Sequence, residues 1–196
     1  MSGAILVSFS GVDGSGKSTQ INLLRERLER DNKKVVTVSL FNYFLLKPLI
    51  SMGRARLKDG KSGPVRKNRN LILRLWFGLA LIDFWVIYAL RVGLLRRKYD
   101  VILADRYFHD LAISMTYYGY MPKVLLLSFV RLLPKADRQI LLSVDPALAH
   151  KRSGEFSIDY FKEQARCYET IAKHFTKLDG SRDSGELSEQ IHGLLR

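Results

Sequence analysis

The chain has 196 residues, 47% of them hydrophobic and 26% charged, which excludes a wholly disordered protein and any collagen-like or disulfide-scaffold class. With 32 Lys and Arg against 19 Asp and Glu, the net charge is +13, so the surface should attract anions such as nucleotides, nucleic acid or an acidic membrane face. The single cysteine cannot form an intramolecular disulfide, and the first residues lack the basic region and long apolar core of a signal peptide, which together predict a cytoplasmic protein.

Strand and helix signals alternate along the chain. The apolar run at 4–10 predicts a buried strand, the amphipathic segment 17–30 predicts a helix, and 34–40 predicts a second strand. A strand, a helix and a strand in this order predict a parallel pair with a right-handed crossover. The later predicted elements are a helix at 71–98, a strand at 101–104, helices at 110–118 and 123–133, a strand at 139–144, helices beginning after Asp145 and at Ser157, a weak strand at 176–178 and a helix near 187–195. We therefore predict an α/β fold in which a parallel five-stranded sheet carries helices on both faces, in a single domain spanning residues 1–196.

The stretch 75–90, LWFGLALIDFWVIYAL, is strongly apolar. It has about 16 residues, fewer than the roughly 20 that span a bilayer, and Asp83 interrupts it. We therefore expect a buried or interfacial helix rather than a membrane span, and we predict that 75–90 is buried. Within it, Phe84, Trp85 and Tyr88 could stack on a base or pack into the core.

Residues 11–18, GVDGSGKS, match the pattern G-x-x-x-x-G-K-[ST] in full and lie between an apolar strand and an amphipathic helix. In such a loop the glycines let the backbone N–H groups point inward at phosphate oxygens, and the following helix adds its positive end. Lys17 would reach the β- and γ-phosphates, and Ser18 would offer its hydroxyl to Mg²⁺. The expected ATP-contacting residues are Gly11, Gly14, Ser15, Gly16, Lys17, Ser18 and Thr19. The motif predicts a P-loop NTPase fold that binds ATP and Mg²⁺.

Asp105 and Arg106 follow the third predicted strand. Because ligands collect at the carboxyl ends of parallel strands, Asp105 is expected to join Ser18 in holding Mg²⁺, directly or through water. Arg106 could clamp an anionic acceptor, since a guanidinium matches phosphate bidentately. The alternative is an aspartate that caps the next helix and an arginine on the surface. His109 and Asp110 come soon afterwards and could help to bind the acceptor.

Nine cations and one acid make the segment 47–74 strongly basic. Three interpretations apply to it: an acceptor-phosphate site, a peripheral contact with an anionic membrane, or a solvent-exposed loop. Aromatic residues interleave poorly with these cations, so a nucleic-acid groove is not favoured. The four His and one Cys of the chain form no zinc-binding pattern.

Three segments together resemble the thymidylate kinases, a family of P-loop nucleoside monophosphate kinases: FSGVDGSGKSTQ, the strand-end DRY at 105–107, and Arg166 to Tyr168. The resemblance implies ATP-dependent transfer of the γ-phosphate to a nucleoside monophosphate such as thymidylate. It also implies a short mobile lid at 146–160, and it places 47–74 on the acceptor side. A second copy of the chain, in a homodimer, is a further candidate partner.

The same resemblance implies roles for individual residues. Asp13 occupies the position of a carboxylate that contacts the acceptor sugar, Asp105 supports Mg²⁺, and Arg106 binds the acceptor phosphate. Arg152 matches the lid arginine that lies against adenine. By these roles Lys17, Asp13, Asp105 and Arg106 are the expected catalytic residues.

The sequence departs from the family pattern where thymine and the transferring phosphate are contacted. The segment LIDFWV at 81–86 has aromatic residues but lacks the arginine with which the family reads the base. The family also supplies a catalytic arginine, either in the glycine-rich loop or in the lid. Here position 15 is serine, and 153–164 carries Lys162 as its only cation. We therefore expect thymidylate to be phosphorylated slowly. One alternative is a kinase of the same fold acting on another anionic acceptor, such as a sugar phosphate or an envelope precursor. Another is a nucleotide-binding module without catalytic turnover.

Overall fold

The computed structural model describes residues 3–40, 71–117, 121–154 and 156–195, with side chains from residue 79 onward in the second range. The described strands are β1 (Ile5–Ser10), β2 (Val35–Val38), β3 (Val101–Asp105), β4 (Arg138–Ser143) and β5 (Thr176–Asp179). They form one sheet in the order β2-β3-β1-β4-β5, and every neighbouring pair is parallel. The predicted α/β fold with a parallel five-stranded sheet is therefore confirmed.

The helices occur where the sequence patterns place them, with ends that differ by a few residues. They are α1 (Lys17–Arg30), α2 (Leu71–Ile87), α3 (Phe108–Tyr117), α4 (Lys123–Arg131), α5 (Pro146–Ser153), α6 (Ile158–Ile171) and α7 (Ser184–Gly193). Asp145 caps α5 and Ser157 caps α6, as their side-chain chemistry predicts. The helix predicted at 71–98 is not one regular α-helix, because α2 continues as a π-helical turn at Tyr88–Val92 and a short helical segment at Gly93–Leu95.

Two apolar layers hold helices against opposite faces of the sheet. Successive strand residues point to opposite faces, so Leu6 of β1 joins one layer and Val7 joins the other. The layer containing Val7 packs α1 and α7, and the layer containing Leu6 packs α2 to α6. Phe84 of α2 is fully buried and stacks on Phe108 of α3, so this aromatic residue belongs to the core. The prediction of helices on both faces is confirmed.

The segments 47–74 and 75–90 both contribute to α2, which begins at Leu71. The basic segment 47–74 lies outside the described residues, apart from its last four positions, whose backbone begins α2. The prediction that 75–90 is buried is wrong for part of that stretch, because four of its described apolar side chains are about half exposed: Leu79, Ile82, Trp85 and Leu90. One side of α2 packs on the sheet, and no described element covers the other side. Among the described residues, no helix combines the length and apolarity needed to cross a membrane.

The sheet order fixes where a ligand site can form. β1 and β3 are adjacent and parallel, with Phe9 paired to Asp105, so both strands end at the same edge. The loop 11–16 leaves β1 at that edge, and Arg106 follows β3 there. A parallel sheet thus brings residues from about 90 positions apart in sequence into one region.

Candidate functional site

The loop between β1 and α1 has a backbone that only glycine adopts readily. Gly11 has a φ of +142°, and a Cβ on it would lie 2.5 Å from the carbonyl oxygen of Leu142 in β4. Gly16, at φ +92°, is the N-cap of α1, and no described side chain caps this end of the helix. The first N–H groups of α1 are therefore left facing the loop, which is the arrangement that binds anions at helix N-termini.

Lys17 folds its side chain over the loop. Its Nζ donates to the carbonyl oxygens of Gly11, at 2.9 Å, and Val12, at 2.8 Å, while the side chain is buried. Burial, followed by repulsion from Arg106, lowers the pKa of Lys17 from its ordinary value, although nearby carboxylates oppose this shift. A cation is thus held beside the N-terminus of α1, where a phosphate would be attracted by both.

Ser18 and Asp105 bring two oxygen ligands together at the edge of the sheet. The Ser18 hydroxyl, in the first turn of α1, donates to Oδ2 of Asp105, the last residue of β3, at 3.3 Å. Hydroxyl and carboxylate oxygens are the ligands that Mg²⁺ prefers, and this ion usually keeps several waters alongside one or two protein ligands. The pair therefore fits a magnesium ion at this position.

Arg106 is held in an uncommon conformation next to Asp13. Its φ is +66°, its N–H donates to the carbonyl oxygen of Phe9 at 3.1 Å, and its guanidinium forms an ion pair with the Asp13 carboxylate. Burial alone would lower the pKa of Arg106, but the carboxylates of Asp13 and Asp110 outweigh it and the pKa is raised. A bulky residue at positive φ is strained, and such strain often accompanies functional sites.

These groups line one cleft of about 490 Å³. All the ATP-contacting, magnesium-binding and catalytic residues that the sequence predicts line it, except Gly11, whose carbonyl oxygen accepts from Lys17 and Tyr168. The cleft is also lined by residues that sequence reasoning missed: Gln20, Gly180, Arg182, Ser184 and Leu187. Most of these come from the turn after β5 and the start of α7, where the only sequence signal is a polar turn following a strand.

Arg152 and Gly180 line the cleft together with the glycine-rich loop. Nη1 of Arg152, on α5, donates to the carbonyl oxygen of Gly180 at 3.0 Å and lies 3.5 Å from that of Gly14. The N–H of Gly180 donates to the backbone carbonyl oxygen of Ser143, the last residue of β4, at 2.8 Å. The loop, α5 and the turn after β5 are thereby packed together as one wall of the cleft.

Replacing Gly180 by alanine should destabilise the protein and weaken nucleotide binding. A Cβ on Gly180 would lie 2.6 Å from the backbone oxygen of Ser15, so the glycine-rich loop or the turn must move. We expect a loss of about 1–3 kcal/mol in unfolding free energy, as for other overpacked sites, measured by denaturant titration alongside nucleotide affinity. Gly93→Ala is the matched control, because nothing lies within 4 Å of its Cβ. Unchanged stability and affinity in Gly180→Ala would contradict this close packing.

Asp110 supports the loop from inside the protein. It is buried, and its carboxylate accepts from the Ser10 hydroxyl and the Tyr107 N–H, both at 2.7 Å, and from the Tyr168 hydroxyl. Burial, then the Asp110 charge and hydrogen bond, raise the pKa of Tyr168 well above its ordinary value, so this hydroxyl stays a donor. The sequence prediction that Asp110 helps to bind the acceptor is wrong, because the side chain faces the base of the loop and does not line the cleft.

His109 does not reach the cleft either. It is buried between the rings of Tyr107 and Phe175, at centroid distances of 5.6 and 4.9 Å. Burial lowers the pKa of His109 to about 3, so the imidazole is neutral near pH 7. It is a core residue, and the expectation that it binds acceptor is also wrong.

Comparisons with known proteins agree with the type of site that these residues form. The chain is 27% identical to the thymidylate kinase of Kosmotoga olearia, over 95% of this chain and 93% of that protein. It is 26% identical to the "Probable thymidylate kinase 1" of Saccharolobus solfataricus, over 97% of this chain and 96% of that protein. A thymidylate kinase of Thermosipho africanus shares 50% identity over 34 residues, 17% of each chain. No family model matches. The two long matches support a thymidylate kinase-like relationship and a nucleotide kinase-like function.

Proposed function

We propose that this chain is an ATP-dependent phosphotransferase, one kinase domain spanning residues 1–196, that transfers the γ-phosphate of ATP to a nucleoside monophosphate such as thymidylate. The observation that carries the proposal is the joint placement of three groups in one cleft. They are the glycine-rich loop with Lys17, the pair Ser18 and Asp105, and the pair Asp13 and Arg106. The full-length similarity to thymidylate kinases supports the same conclusion.

The donor nucleotide would lie along the loop and the start of α1. The N–H groups of Gly14 to Thr19 and the positive helix end would hold its phosphates, with Lys17 neutralising the γ-phosphoryl oxygens. Lys17 would exchange its two carbonyl acceptors for phosphate oxygens when the nucleotide enters. Arg152, on α5, would lie against adenine.

Ser18 and Asp105 would hold Mg²⁺, directly or through water. When bound, the ion neutralises charge that develops on the phosphate oxygens. The contribution of the protein would be to keep two oxygen ligands together beside the glycine-rich loop, with Ser18 in the first turn of α1 and Asp105 at the end of β3.

The acceptor would be bound by Arg106 and Asp13. In the free protein Asp13 already neutralises the Arg106 guanidinium, so an incoming phosphate must compete with that carboxylate. Once the phosphate is paired with Arg106, the Asp13 carboxylate can accept a hydrogen bond from a hydroxyl of the acceptor. Closure of the 146–160 lid would exclude water during transfer.

A coupled ADP-release assay with Mg-ATP and a panel of acceptors tests the proposal. The panel contains nucleoside monophosphates, free nucleosides and sugar phosphates, each measured with the intact chain and with a Lys17→Ala control. We expect ADP release that depends on a nucleoside monophosphate and is lost in the control. For thymidylate the rate should lie below the roughly 1–100 per second that is typical of kinases, because 81–86 lacks the base-reading arginine. Release with a sugar phosphate alone would contradict the proposed acceptor, and no release with any acceptor would contradict the proposed enzyme.

A further inference from the structure

Each of the two carbonyl oxygens that hold the Lys17 ammonium also has a second donor. At Val12 this donor is the backbone N–H of Ser15, at 3.2 Å. At Gly11 it is the hydroxyl of Tyr168 on α6, also at 3.2 Å. The donor to Val12 belongs to the glycine-rich loop itself, whereas the donor to Gly11 comes from a residue 157 positions later in the chain.

The burial of Gly11 makes its second donor important. Gly11 is buried, and it lies so close to β4 that a Cβ on it would be 2.5 Å from the carbonyl oxygen of Leu142. A buried carbonyl group without a hydrogen bond is unfavourable, because it has also given up its bonds with water. When Lys17 moves to a phosphate, as the proposed function requires, the Gly11 carbonyl group loses its ammonium donor. The inference below rests on that part of the proposed function.

The Tyr168 hydroxyl has one proton and lies within hydrogen-bond distance of two acceptors. They are the carbonyl oxygen of Gly11 and Oδ1 of Asp110, of which Asp110 is the closer. In the free protein the proton serves Asp110, while Lys17 serves Gly11. The Asp110 carboxylate keeps three other donors: the Ser10 hydroxyl and the backbone N–H groups of Tyr107 and Gly11. The hydroxyl can therefore turn its proton toward Gly11 without leaving the carboxylate unpaired.

This change requires little movement of the protein. The ring of Tyr168 is buried in the apolar layer that packs α2 to α6, so packing fixes its position. Rotation of the hydroxyl about its C–O bond redirects the proton while the ring stays in place. At Val12 the N–H of Ser15 already donates, so that carbonyl group stays paired when the ammonium leaves.

We propose that Tyr168 is a positioning residue for the donor nucleotide, whose hydroxyl donates to the Gly11 carbonyl oxygen when Lys17 leaves that oxygen for the nucleotide phosphates. Tyr168 does not line the cleft, so it acts through Gly11 and Lys17 rather than by touching the nucleotide. Its effect on nucleotide affinity therefore depends on the presence of Lys17. A tyrosine that only supported the folded loop would affect affinity with or without the lysine.

Calorimetric titration with Mg-ADP of the unaltered chain, Tyr168→Phe, Lys17→Ala and the double variant tests the proposal. We expect Tyr168→Phe to raise the Kd for Mg-ADP about tenfold, because the bound state then contains an unpaired buried carbonyl group. In the Lys17→Ala background the same change should alter the Kd by less than about twofold, because the carbonyl group has no ammonium donor to lose. Tyr107→Phe is the matched control, since this tyrosine is buried and its hydroxyl has no hydrogen-bond partner among the described residues. Its Kd should match that of the unaltered chain.

A crystal structure of the unaltered chain with Mg-ADP provides a second test that does not depend on how well any variant folds. We expect the Tyr168 hydroxyl oxygen at about 2.8 Å from the Gly11 carbonyl oxygen, the usual distance for such a bond. The ammonium of Lys17 should lie on the β-phosphate and no longer on Gly11.

Three results would overturn the proposal. One is an unchanged Kd in Tyr168→Phe, and another is an equal loss of affinity with and without Lys17, which would indicate a structural role alone. The third is a nucleotide complex in which Lys17 still donates to Gly11. The first two leave nucleotide binding, and with it the proposed function, intact. Absence of Mg-ADP binding by the unaltered chain would instead contradict the proposed function and this inference together. Circular dichroism melting checks that each variant is folded.

Discussion

Lys17→Ala should lower the rate of phosphoryl transfer by a hundredfold to a thousandfold while leaving the protein folded. The ammonium lies at the N-terminus of α1, where two carbonyl oxygens hold it in the free protein. We propose that it neutralises charge on the transferred phosphoryl group, and removal of one such preorganised donor typically costs about 3–4 kcal/mol of transition-state stabilisation. The measurement is single-turnover transfer at saturating Mg-ATP, so that weaker nucleotide binding does not hide the effect on chemistry.

Two controls accompany this prediction. Lys33→Ala removes one exposed cation from the turn after α1, and its rate should remain unchanged because it is remote from the cleft. Circular dichroism melting of Lys17→Ala tests whether the loop folds without the ammonium, since the carbonyl groups of Gly11 and Val12 lose a donor. A folded Lys17→Ala protein that retains the full rate would contradict the assignment of the loop as a phosphate site.

The local sequence predicts most of the fold because each element carries its own signal. β1 is an apolar run, α1 has apolar residues on one side, and α5 begins with Asp145 followed by proline at the first helical position. Asp105 could also be placed beside Ser18 in advance, because the carboxyl ends of parallel strands meet at one edge. In both cases the information is local or follows from a general rule of sheet topology.

Other parts of the site depend on contacts that no local pattern shows. Gly180 approaches Ser15 from a turn 165 positions later, and the need for glycine there comes from a backbone distance. Asp110 looks like a candidate ligand because it follows the DRY segment. Its burial against Tyr168, 58 residues away, is a consequence of packing between α3 and α6. Residues of this kind are identified only when the elements are assembled.

The apolar stretch of α2 shows a different limit. Its composition predicts a helix, and its length and Asp83 favour a buried or interfacial helix over a membrane span. Composition does not reveal how much of the helix circumference the rest of the protein covers, and one side of it is exposed from Leu79 to Leu94. The hydropathy of a segment therefore indicates how strongly its side chains favour burial away from water. Which partner covers the exposed apolar side chains depends on the fold and on the molecules around it.

Arg106→Ala should raise the KM for the acceptor and lower kcat, with little change in the KM for ATP. A charged hydrogen bond contributes about 1.5–3 kcal/mol, so we expect kcat/KM for the acceptor to fall by roughly tenfold to a hundredfold. Arg106→Lys keeps a cation at this position but loses the bidentate geometry, and it should recover part of the loss. Initial rates with each substrate varied separately distinguish the two substrates. A change confined to the ATP parameters would contradict the acceptor role.

Asp13→Asn separates two effects that the ion pair with Arg106 combines. If the carboxylate only competed with the acceptor phosphate for the guanidinium, removing its charge would free Arg106 and lower the KM for the acceptor. We propose instead that Asp13 also orients an acceptor hydroxyl, so kcat should fall about tenfold or more, since misplaced reactants lose the advantage of orientation.

The Asp13→Asn/Arg106→Lys double variant should then lose less kcat/KM for the acceptor than the product of the two single losses, because the two side chains act on one acceptor through one ion pair. Losses that multiply independently would show that the pair contacts the acceptor at separate places, and an unchanged kcat in Asp13→Asn would remove Asp13 from the transfer step.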